Sequence, residues 1–579
     1  MVNSIGGSRN KISVVWWSIA FVLLFNAVFL FGGRFRGVMQ PMDDHEIFAI
    51  PAQIQSSSLP ATLLRWTGDD LGLRFRPVYA FYRVISCAMF GGNISAAAIT
   101  AIVLGNIFGL GLLWCFAYFR YPAVLAFFLA FSCCFGPQIE CWFLVGCQEN
   151  IALILMLLVL FQIFRVAGKS NAFGEIILFF FIALLTLAKE PFILTIPALL
   201  VFRYILESEK ASSAKWHELL LRRKWQYVLP IVLCIFEILI IKIVIRPHYT
   251  IAENGKMIYG LPFNVLYSGL VGYGELLFSV FIILWVAVSR LRKRLLPIAL
   301  LVISGAGAQV AGYPLIYQRY MLPCVFFYAL GICELLKILL DEKFSVDECK
   351  KLKRIGVVSA ALLIIAAVVF LVTLNLKIAK GKTFDEFVPV SIASVAAGMI
   401  ILSAIILNAG RLWKYKALLV SLPLAFLAVR GNWQLSVREI ALRAKGCMAI
   451  EELKNRLLSL DKGKVILFVS DPADGIAWEH QVTLLSYLDY QKKYPVRWCL
   501  YNISDSGLDS LVHQGWRGFH QGEMLVRKII RTLPRDLNPQ AAVVIDRRNC
   551  GLVETVCRAY PELTRSKHYG AATLYMLKK

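Results

Sequence analysis

Apolar runs long enough to cross a lipid bilayer recur along most of this chain. A spanning helix needs about 20 mostly apolar residues, and Ile12–Phe31 is the first such run. The further runs are 93–117, 121–137, 147–164, 173–188, 191–206, 227–245, 264–289, 296–312, 320–340, 355–376, 388–409 and 415–430. No small-residue cleavage site follows the first run, so it is expected to be a retained span. The pattern predicts an α-helical polytopic membrane protein with about 13 transmembrane helices in residues 1–430.

Composition excludes a soluble enzyme or a disordered chain. The 579 residues are 58% hydrophobic and 17% charged, whereas soluble domains have about 45–50% apolar and 25% charged residues. A net charge of +24 would indicate nucleic-acid binding in a soluble protein. In a membrane protein, an excess of positive charge first reflects the orientation of the chain in the bilayer, so no nucleic-acid partner is expected.

Lysines and arginines gather in alternate connections between the predicted spans. The basic connections contain Arg120, 165–169, 203–224, 290–294, 350–354 and 411–416. The positive-inside rule places them in the cytoplasm with the N-terminus, and an odd number of spans places the C-terminus outside. The chain is therefore expected in a bacterial cytoplasmic (inner) membrane.

The predicted first outer loop, residues 34–92, departs from this charge rule. Its arginines are Arg34, Arg36, Arg65, Arg74, Arg76 and Arg83, and its acidic residues include Asp43, Asp44, Glu46, Asp69 and Asp70. Arginine grips phosphate oxygens with two parallel hydrogen bonds, so the loop is typical of a site that handles an anionic group. Surface ion pairing and snorkelling of arginines to lipid headgroups is the alternative.

Two helices are expected within this loop. The range 46–64 is predicted to lie along the membrane interface. The range 76–90 is apolar but only about 15 residues long, too short to span comfortably, and is predicted to dip into the outer leaflet.

Four short motifs follow one another in the membrane part. They are Pro-Met-Asp43-Asp44-His-Glu-Ile-Phe, Arg74-Phe-Arg76-Pro-Val-Tyr, Lys189-Glu-Pro and Tyr-Gln-Arg319-Tyr-Met-Leu-Pro. In this order and topology the chain resembles the polytopic GT-C glycosyltransferases over roughly residues 10–430. That class uses polyprenyl-phosphate sugars and includes the protein O-mannosyltransferases and the lipid A aminoarabinose transferase.

The resemblance implies a set of site residues. An acidic residue at the start of the first outer loop is the catalytic base of the class, which here falls on Asp43 or Asp44. Asp43 is slightly preferred, although the commoner Asp-Glu pair is absent. The donor phosphate would be held by Arg74, Arg76, Lys189 and Arg319. A direct displacement at the anomeric carbon would invert its configuration.

Further polar residues are candidates for the acceptor side or for support of the base. They are His45, Glu46, Glu149 and Tyr320. Two simpler interpretations stay open: Glu149 could cap a helix, and Lys189 could pair with Glu190. No cofactor is expected to be obligate. A divalent metal could bind the carboxylates near Asp43, but arginines can neutralise phosphate without one.

Composition changes sharply near residue 431, and residues 431–579 are predicted to form an extracytoplasmic α/β domain. Strands are predicted at 465–469, 496–503, 541–545 and 571–576, with helices at 450–460 and 523–533. The cysteines Cys447, Cys499, Cys550 and Cys557 could pair or stay free. Acceptor binding and partner docking are both open roles for this domain.

The sequence therefore predicts an integral membrane glycosyltransferase. It would transfer a sugar to a glycan, lipid or protein acceptor. The donor would be a polyprenyl-phosphate-linked sugar that lies within the membrane lipid. A lipid-linked oligosaccharide polymerase or ligase is one alternative, although such enzymes rely on a large late loop. A lipid or sugar transporter is another, but transporters tend to show repeated halves and charges near the membrane midplane, whereas this chain shows no repeat and its charges gather at one outer face. A structural scaffold would not need an acidic pair beside six arginines.

Overall fold

The computed structural model describes a mostly helical chain. The described residues are 8–32, 46–73, 75–144, 147–169, 171–210, 223–245, 274–309, 322–342, 344–348, 350–352, 354–355, 433–460, 466–470, 484, 500–501, 529–530, 539–545, 551–569 and 572–577. The predicted spans 355–376, 388–409 and 415–430 lie almost entirely outside them. The expected total of about thirteen spans therefore stays a prediction.

Six of the described helices are long and apolar enough to cross a membrane. They cover Ile12–Phe31, Ile94–Phe119, Glu149–Val166, Glu190–Lys210, Lys224–Ile243 and Leu322–Asp341. In order, the helices of the membrane part are α1 (Ser8–Phe31), α2 (Glu46–Ser56), α3 (Leu59–Leu73), α4 (Pro77–Phe90), α5 (Ile94–Phe119), α6 (Ala123–Cys134), α7 (Glu140–Phe143), α8 (Glu149–Val166), α9 (Ala172–Thr186), α10 (Ile196–Lys210), α11 (Lys224–Ile240), α12 (Gly274–Ala287), α13 (Arg292–Val302) and α14 (Leu322–Asp341). Helices α6 and α9 are apolar but shorter than a comfortable span.

The membrane core is centred on α1, α5 and α6, which pack against one another. The rings of Phe21 and Phe25 both meet Phe135 edge to face, at centroid distances of 5.8 and 5.6 Å. Between α1 and α5, the amides of Asn26 and Asn106 donate to each other at 3.1 and 3.3 Å. Such polar contacts between apolar helices hold the two spans in one relative position.

Arginines at the predicted cytoplasmic ends of the spans are buried in ion pairs. Arg120 donates to Glu334 of α14 at 2.7 Å. Arg203 donates to Glu207 at 2.9 Å and to Glu175 of α9 at 2.8 Å. Because a buried charge requires a partner, these residues join neighbouring spans as well as contributing to the positive-inside pattern.

The predicted first outer loop forms three helices, α2, α3 and α4. The prediction of a single helix over 46–64 is wrong, because the helix is interrupted at Ser57-Ser58. The hydroxyl of Ser57 donates to Gln53 O at 2.8 Å, and the hydroxyl of Ser58 accepts from Ala61 N at 3.3 Å. Serine side chains compete with helical hydrogen bonds in this way and favour helix ends. The helix expected over 76–90 is present as α4.

A long helix, α15 (Gln434–Leu458), precedes a sheet near the C-terminus. The sheet, called the C-terminal sheet below, contains β1 (Ile466–Ser470), β4 (Ala541–Ile545), β6 (Ala572–Leu577) and β5 (Leu563–Tyr569) in that spatial order. Strands β1 and β4 are parallel, and β6 runs antiparallel to β4 and β5. Helix α16 (Leu552–Ala559) buries Leu552 and Val556 against one face. Strands β2 (Leu500–Tyr501) and β3 (Ile529–Ile530) form a separate parallel pair.

The strand ranges predicted near 465, 500, 541 and 571 each contain a strand. The helix predicted over 523–533 is wrong at Ile529–Ile530, which form β3; two adjacent β-branched residues suit an extended chain. The boundary at residue 431 and the outward position of this region stay predictions. Cys447 and Cys557 are thiols outside any disulfide, whereas Cys499 and Cys550 lie outside the described residues.

Candidate active site

Arg76 stands where the first outer loop turns into α4. Phe75 has a positive φ of 58°, and Pro77 is the first helical residue of α4. Proline is favoured there because its missing N–H needs no partner and its φ already suits a helix. The next residue, Val78, donates its N–H to Leu187 O at 3.3 Å. The start of α4 is therefore fixed against the connection between α9 and α10.

That connection carries Lys189 and Glu190. The guanidinium Nε of Arg76 lies 3.2 Å from Oε1 of Glu190. Lys189 turns the other way: its Nζ lies 3.2 Å from Oε1 of Glu149 and 2.5 Å from Oε1 of Gln148. Lys189 has an extended backbone, with φ −161° and ψ 128°, and consecutive side chains of an extended chain point to opposite sides. The simple pairing of Lys189 with Glu190 is therefore wrong.

Glu149 begins α8, a position where a carboxylate is stabilised by the helix dipole. Its Oε2 accepts a hydrogen bond from Cys147 Sγ at 2.8 Å, and its Oε1 faces Lys189. The alternative in which Glu149 only caps a helix does not account for the ion pair. The sequence singled out Glu149 and Lys189 separately, and the structure brings them together.

These four charged residues form two ion pairs, Arg76–Glu190 and Lys189–Glu149, which are joined through the adjacent residues Lys189 and Glu190 and are together called the charge cluster below. The side chains of Arg76, Lys189 and Glu149 are 3%, 4% and 3% exposed, and that of Glu190 is 19% exposed. The two positive and two negative charges of the cluster sum to zero. The cluster is largely closed to water, and electrostatic interactions are strong in such surroundings. In such a cluster, an anion from outside can replace one of the carboxylates as the partner of a cation.

Glu46 contributes to a separate ion pair. Its Oε2 lies 2.7 Å from Nε of Arg83 and accepts a hydrogen bond from Tyr79 OH at 2.9 Å. Burial lowers the pKa of Arg83, but the neighbouring Cys87, Tyr79 and Glu46 groups raise it, and the net pKa shift is upward. Arg83 stays charged, and Glu46 therefore joins α2 to α4. An acceptor role for Glu46 stays a prediction.

The sequence analysis placed Arg83 in the first outer loop and Glu190 beside Lys189, but it assigned a role in the site to neither of them, nor to Gln148. Arg76 and Arg83 are seven residues apart, and residues at this spacing share one face of a helix. That spacing was the available signal for Arg83. Nothing in the sequence indicated that Gln148 would reach Lys189, because the contact joins two segments separated by the whole of α8 and α9.

Six predicted site residues lie outside the described residues. They are Asp43, Asp44, His45, Arg74, Arg319 and Tyr320. Their roles stay predictions, as does metal binding near Asp43. Within the described ranges no group of three or more His, Cys, Asp or Glu side chains is arranged to hold a metal ion.

The fold was compared with known proteins. ArnT from Cupriavidus metallidurans bound to undecaprenyl phosphate is similar over 96% of this chain and 97% of that chain, with 15% sequence identity and a TM-score of 0.50. Apo ArnT from the same organism aligns with 15% identity and a TM-score of 0.47, over 96% of this chain and 98% of that one. No protein-family model and no curated protein sequence matches the chain.

At this level of identity the likeness concerns the fold. The chain is an apolar, mostly helical protein with the fold of ArnT. The resemblance predicted from the motifs is thereby confirmed at the level of the fold.

Proposed function

We propose that the protein is an integral membrane glycosyltransferase that uses a polyprenyl-phosphate-linked sugar donor. The observation that carries this proposal is a pair of buried cations, Arg76 and Lys189, whose ion pairs are joined by the adjacent residues Lys189 and Glu190, although Arg76 comes from a distant part of the chain. The ArnT fold supports the class of donor, because that ArnT structure holds undecaprenyl phosphate. The acceptor would be a glycan, a lipid or a protein on the outer side of a bacterial inner membrane.

The chemistry follows from the charges. A polyprenyl phosphate leaving group gains negative charge as its bond to the sugar breaks. Fixed cations in a site closed to water stabilise that charge without reorganising during the reaction. Arg76 can offer paired N–H groups to phosphate oxygens, and Lys189 adds a point charge. Glu190 and Glu149 neutralise these cations until the anionic donor arrives.

The acceptor hydroxyl must lose a proton as it attacks the anomeric carbon, and a placed carboxylate serves as general base. Asp43 or Asp44 would fill this role, with Asp43 slightly preferred. Both lie within three residues of Glu46, which is the first residue of α2 and is held by Arg83. The proton would pass to the carboxylate, the sugar–oxygen bond would form as the phosphate bond breaks, and the anomeric carbon would be inverted.

The test uses purified full-length protein in detergent. Asp43→Asn and Asp44→Asn are made separately and assayed with a panel of radiolabelled polyprenyl-phosphate sugars and a cell-envelope acceptor extract. Loss of transfer in one variant, with undecaprenyl phosphate binding retained, supports a general base. Full transfer in both variants would remove that assignment.

A parallel measurement tests the phosphate site. Arg76→Gln and Lys189→Gln should each weaken binding of undecaprenyl phosphate at least tenfold, which corresponds to about 1.4 kcal/mol or more. Arg65→Gln is the matched control, since Arg65 is an exposed arginine of α3 in the same loop. Equal binding by all three variants would contradict the site.

Transport is the competing function that this assay separates. A transporter would move labelled lipid or sugar across proteoliposome membranes without forming a new glycosidic bond. A polymerase or ligase would give products that carry several sugar units or a preformed glycan. A single-sugar product supports the proposed function.

A further inference from the structure

Helix α15 belongs to two packed regions at once. In its first half, Ile440 and Cys447 are buried in the core formed by the membrane helices. In its second half, Ile450, Leu453 and Leu457 are buried in another core. That second core is built from α2, the start of α5 and strands β4 to β6, through Ile47, Phe48, Ile94, Ala97, Ala98, Ala541, Val543, Ile545, Tyr569, Ala572 and Leu574. The helix therefore connects the C-terminal sheet rigidly to the membrane part.

The first half of α15 also contacts the segment between α6 and α8. Gly136, with φ 108°, donates its N–H to Ser436 Oγ at 2.7 Å. About two helical turns further on, Nη2 of Arg443 lies 2.8 Å from Oε2 of Glu140, and its Nε lies 2.7 Å from Glu439 of the same helix. Two polar contacts thus tie the start of this segment to α15.

The same segment ends at the charge cluster. From Glu140 it runs through Trp142, which is fully buried, to Cys147 and Glu149. Cys147 is 1% exposed, and its thiol donates to Glu149. Close-packed interiors transmit displacements because they hold few voids. A shift at Glu140 would therefore move Glu149 relative to Lys189.

We infer that Arg443 is a positioning residue, which acts through Glu140 to set the place of Glu149 beside Lys189. Helix α15 carries Arg443 and is held by the C-terminal sheet. The sheet therefore helps to position the residues of the site. This inference rests on the proposed function for its effect on transfer. Its effect on the segment can be measured without any substrate.

The first readout is the reaction of Cys147 with a maleimide, followed by peptide mass spectrometry on the full-length protein in detergent. Arg443→Glu and Glu140→Arg each place like charges together and should raise the labelling rate of Cys147 at least tenfold. Combining the two substitutions restores opposite charges and should restore protection. Lys445→Glu is the matched control, since Lys445 is exposed on the same helix and undergoes the same charge change.

A global readout separates positioning from general stability. Cys333 is fully buried on α14, far along the chain from this segment. Labelling of Cys147 without labelling of Cys333 supports the inference. Equal labelling of both thiols in Arg443→Glu and also in the milder Arg443→Gln would overturn it, because Arg443 would then only stabilise the whole fold.

The second readout is transfer of sugar from the polyprenyl-phosphate panel. Arg443→Glu should lower kcat more than it raises KM for the donor, and the double variant should recover most of the loss. If Arg443→Glu transfers sugar as fast as wild type and its Cys147 stays protected, the inference is overturned. The proposed function is unaffected by that result. Absence of any transfer by wild type overturns the proposed function, while the labelling result still decides the inference.

Discussion

At the scale of single residues, charges that look alike in the sequence have different surroundings. Arg76 and Arg83 lie on one helix, yet Arg76 faces Glu190 in the charge cluster and Arg83 faces Glu46. Both are almost fully buried. The partner of Arg76, Glu190, directly follows Lys189 in the chain, and this neighbouring cation distinguishes the proposed phosphate site from the ion pair that joins α2 to α4.

The carboxylate of Glu149 competes with an incoming phosphate for Lys189. Glu149→Gln should therefore bind undecaprenyl phosphate roughly tenfold tighter, a gain of about 1.4 kcal/mol, because the phosphate no longer competes with the Glu149 carboxylate for Lys189. Binding is measured with labelled undecaprenyl phosphate and purified protein. Asp69→Asn in the first outer loop is the control for loss of one negative charge. Weaker binding by Glu149→Gln would show that the carboxylate helps to hold the lipid.

The Arg83–Glu46 pair should matter for stability. Arg83→Met leaves the Glu46 carboxylate without its cation and should lower the free energy of unfolding by about 3–5 kcal/mol. Combining it with Glu46→Leu removes both charges and should recover most of the loss. Unfolding in mixed detergent micelles measures both. A double variant as unstable as the single one would contradict this account.

At the scale of elements, α1 and α5 cross at a close contact between glycines and aromatic rings. A Cβ added at Gly109 would lie 2.0 Å from Phe21 Cζ, and one added at Gly105 would lie 2.5 Å from Phe25 Cζ. The two glycines are four residues apart, the spacing that lets membrane helices approach closely. This crossing is part of the core that supports the segment ahead of Glu149, since Gly105 also faces Trp142.

Substitutions of glycine by alanine should have opposite effects at two sites. Gly109→Ala overpacks the crossing and should cost about 1–3 kcal/mol of unfolding free energy. Gly446→Ala, in α15 with nothing within 4 Å of the added Cβ, should stabilise by about 0.5–1 kcal/mol. Unfolding titrations of both variants provide the measurement. Destabilisation of similar size at both positions would mean that the crossing is not tightly packed.

Elements were predictable from the sequence where one local property decides them. The apolar run Ile12–Phe31 lies within α1 and ends at the same residue, because length and hydrophobicity suffice to define it. The break at Ser57-Ser58 was missed, because side-chain hydrogen bonds override the apolar pattern there. Helix α15 was recognised only near its end. Its first half is rich in charge, and its burial depends on packing against distant helices.

The sequence likewise predicted some residues of the candidate site but not the residues with which they pair. The resemblance of the motifs to a known class indicated Arg76 and Lys189, each of which stands in a short motif that contains a proline. Their partners were not predictable, since each ion pair joins residues far apart in the chain. Long-range contacts of this kind depend on how the helices pack, which hydrophobic periodicity alone does not specify.

At the scale of the whole molecule, the remaining question is which side of the membrane carries the C-terminal sheet. The odd number of predicted spans and the positive-inside rule place it outside. The protein contains its own reporter: of the eleven described cysteines, ten are buried, and Cys557 on α16 is partly exposed. Cys349, Cys499 and Cys550 lie outside the described residues, so labelled peptides must be identified individually.

A membrane-impermeant maleimide should label Cys557 in right-side-out membrane vesicles and leave it unlabelled in inside-out vesicles until detergent is added. The physical reason is that the reagent is charged and reaches only thiols in its own compartment. Peptide mass spectrometry assigns the labelled residue, and Cys557→Ser is the control that removes the signal. Labelling confined to inside-out vesicles would place the sheet in the cytoplasm. Because α15 joins that sheet to the charge cluster, such a result would also place the proposed transfer on the cytoplasmic side.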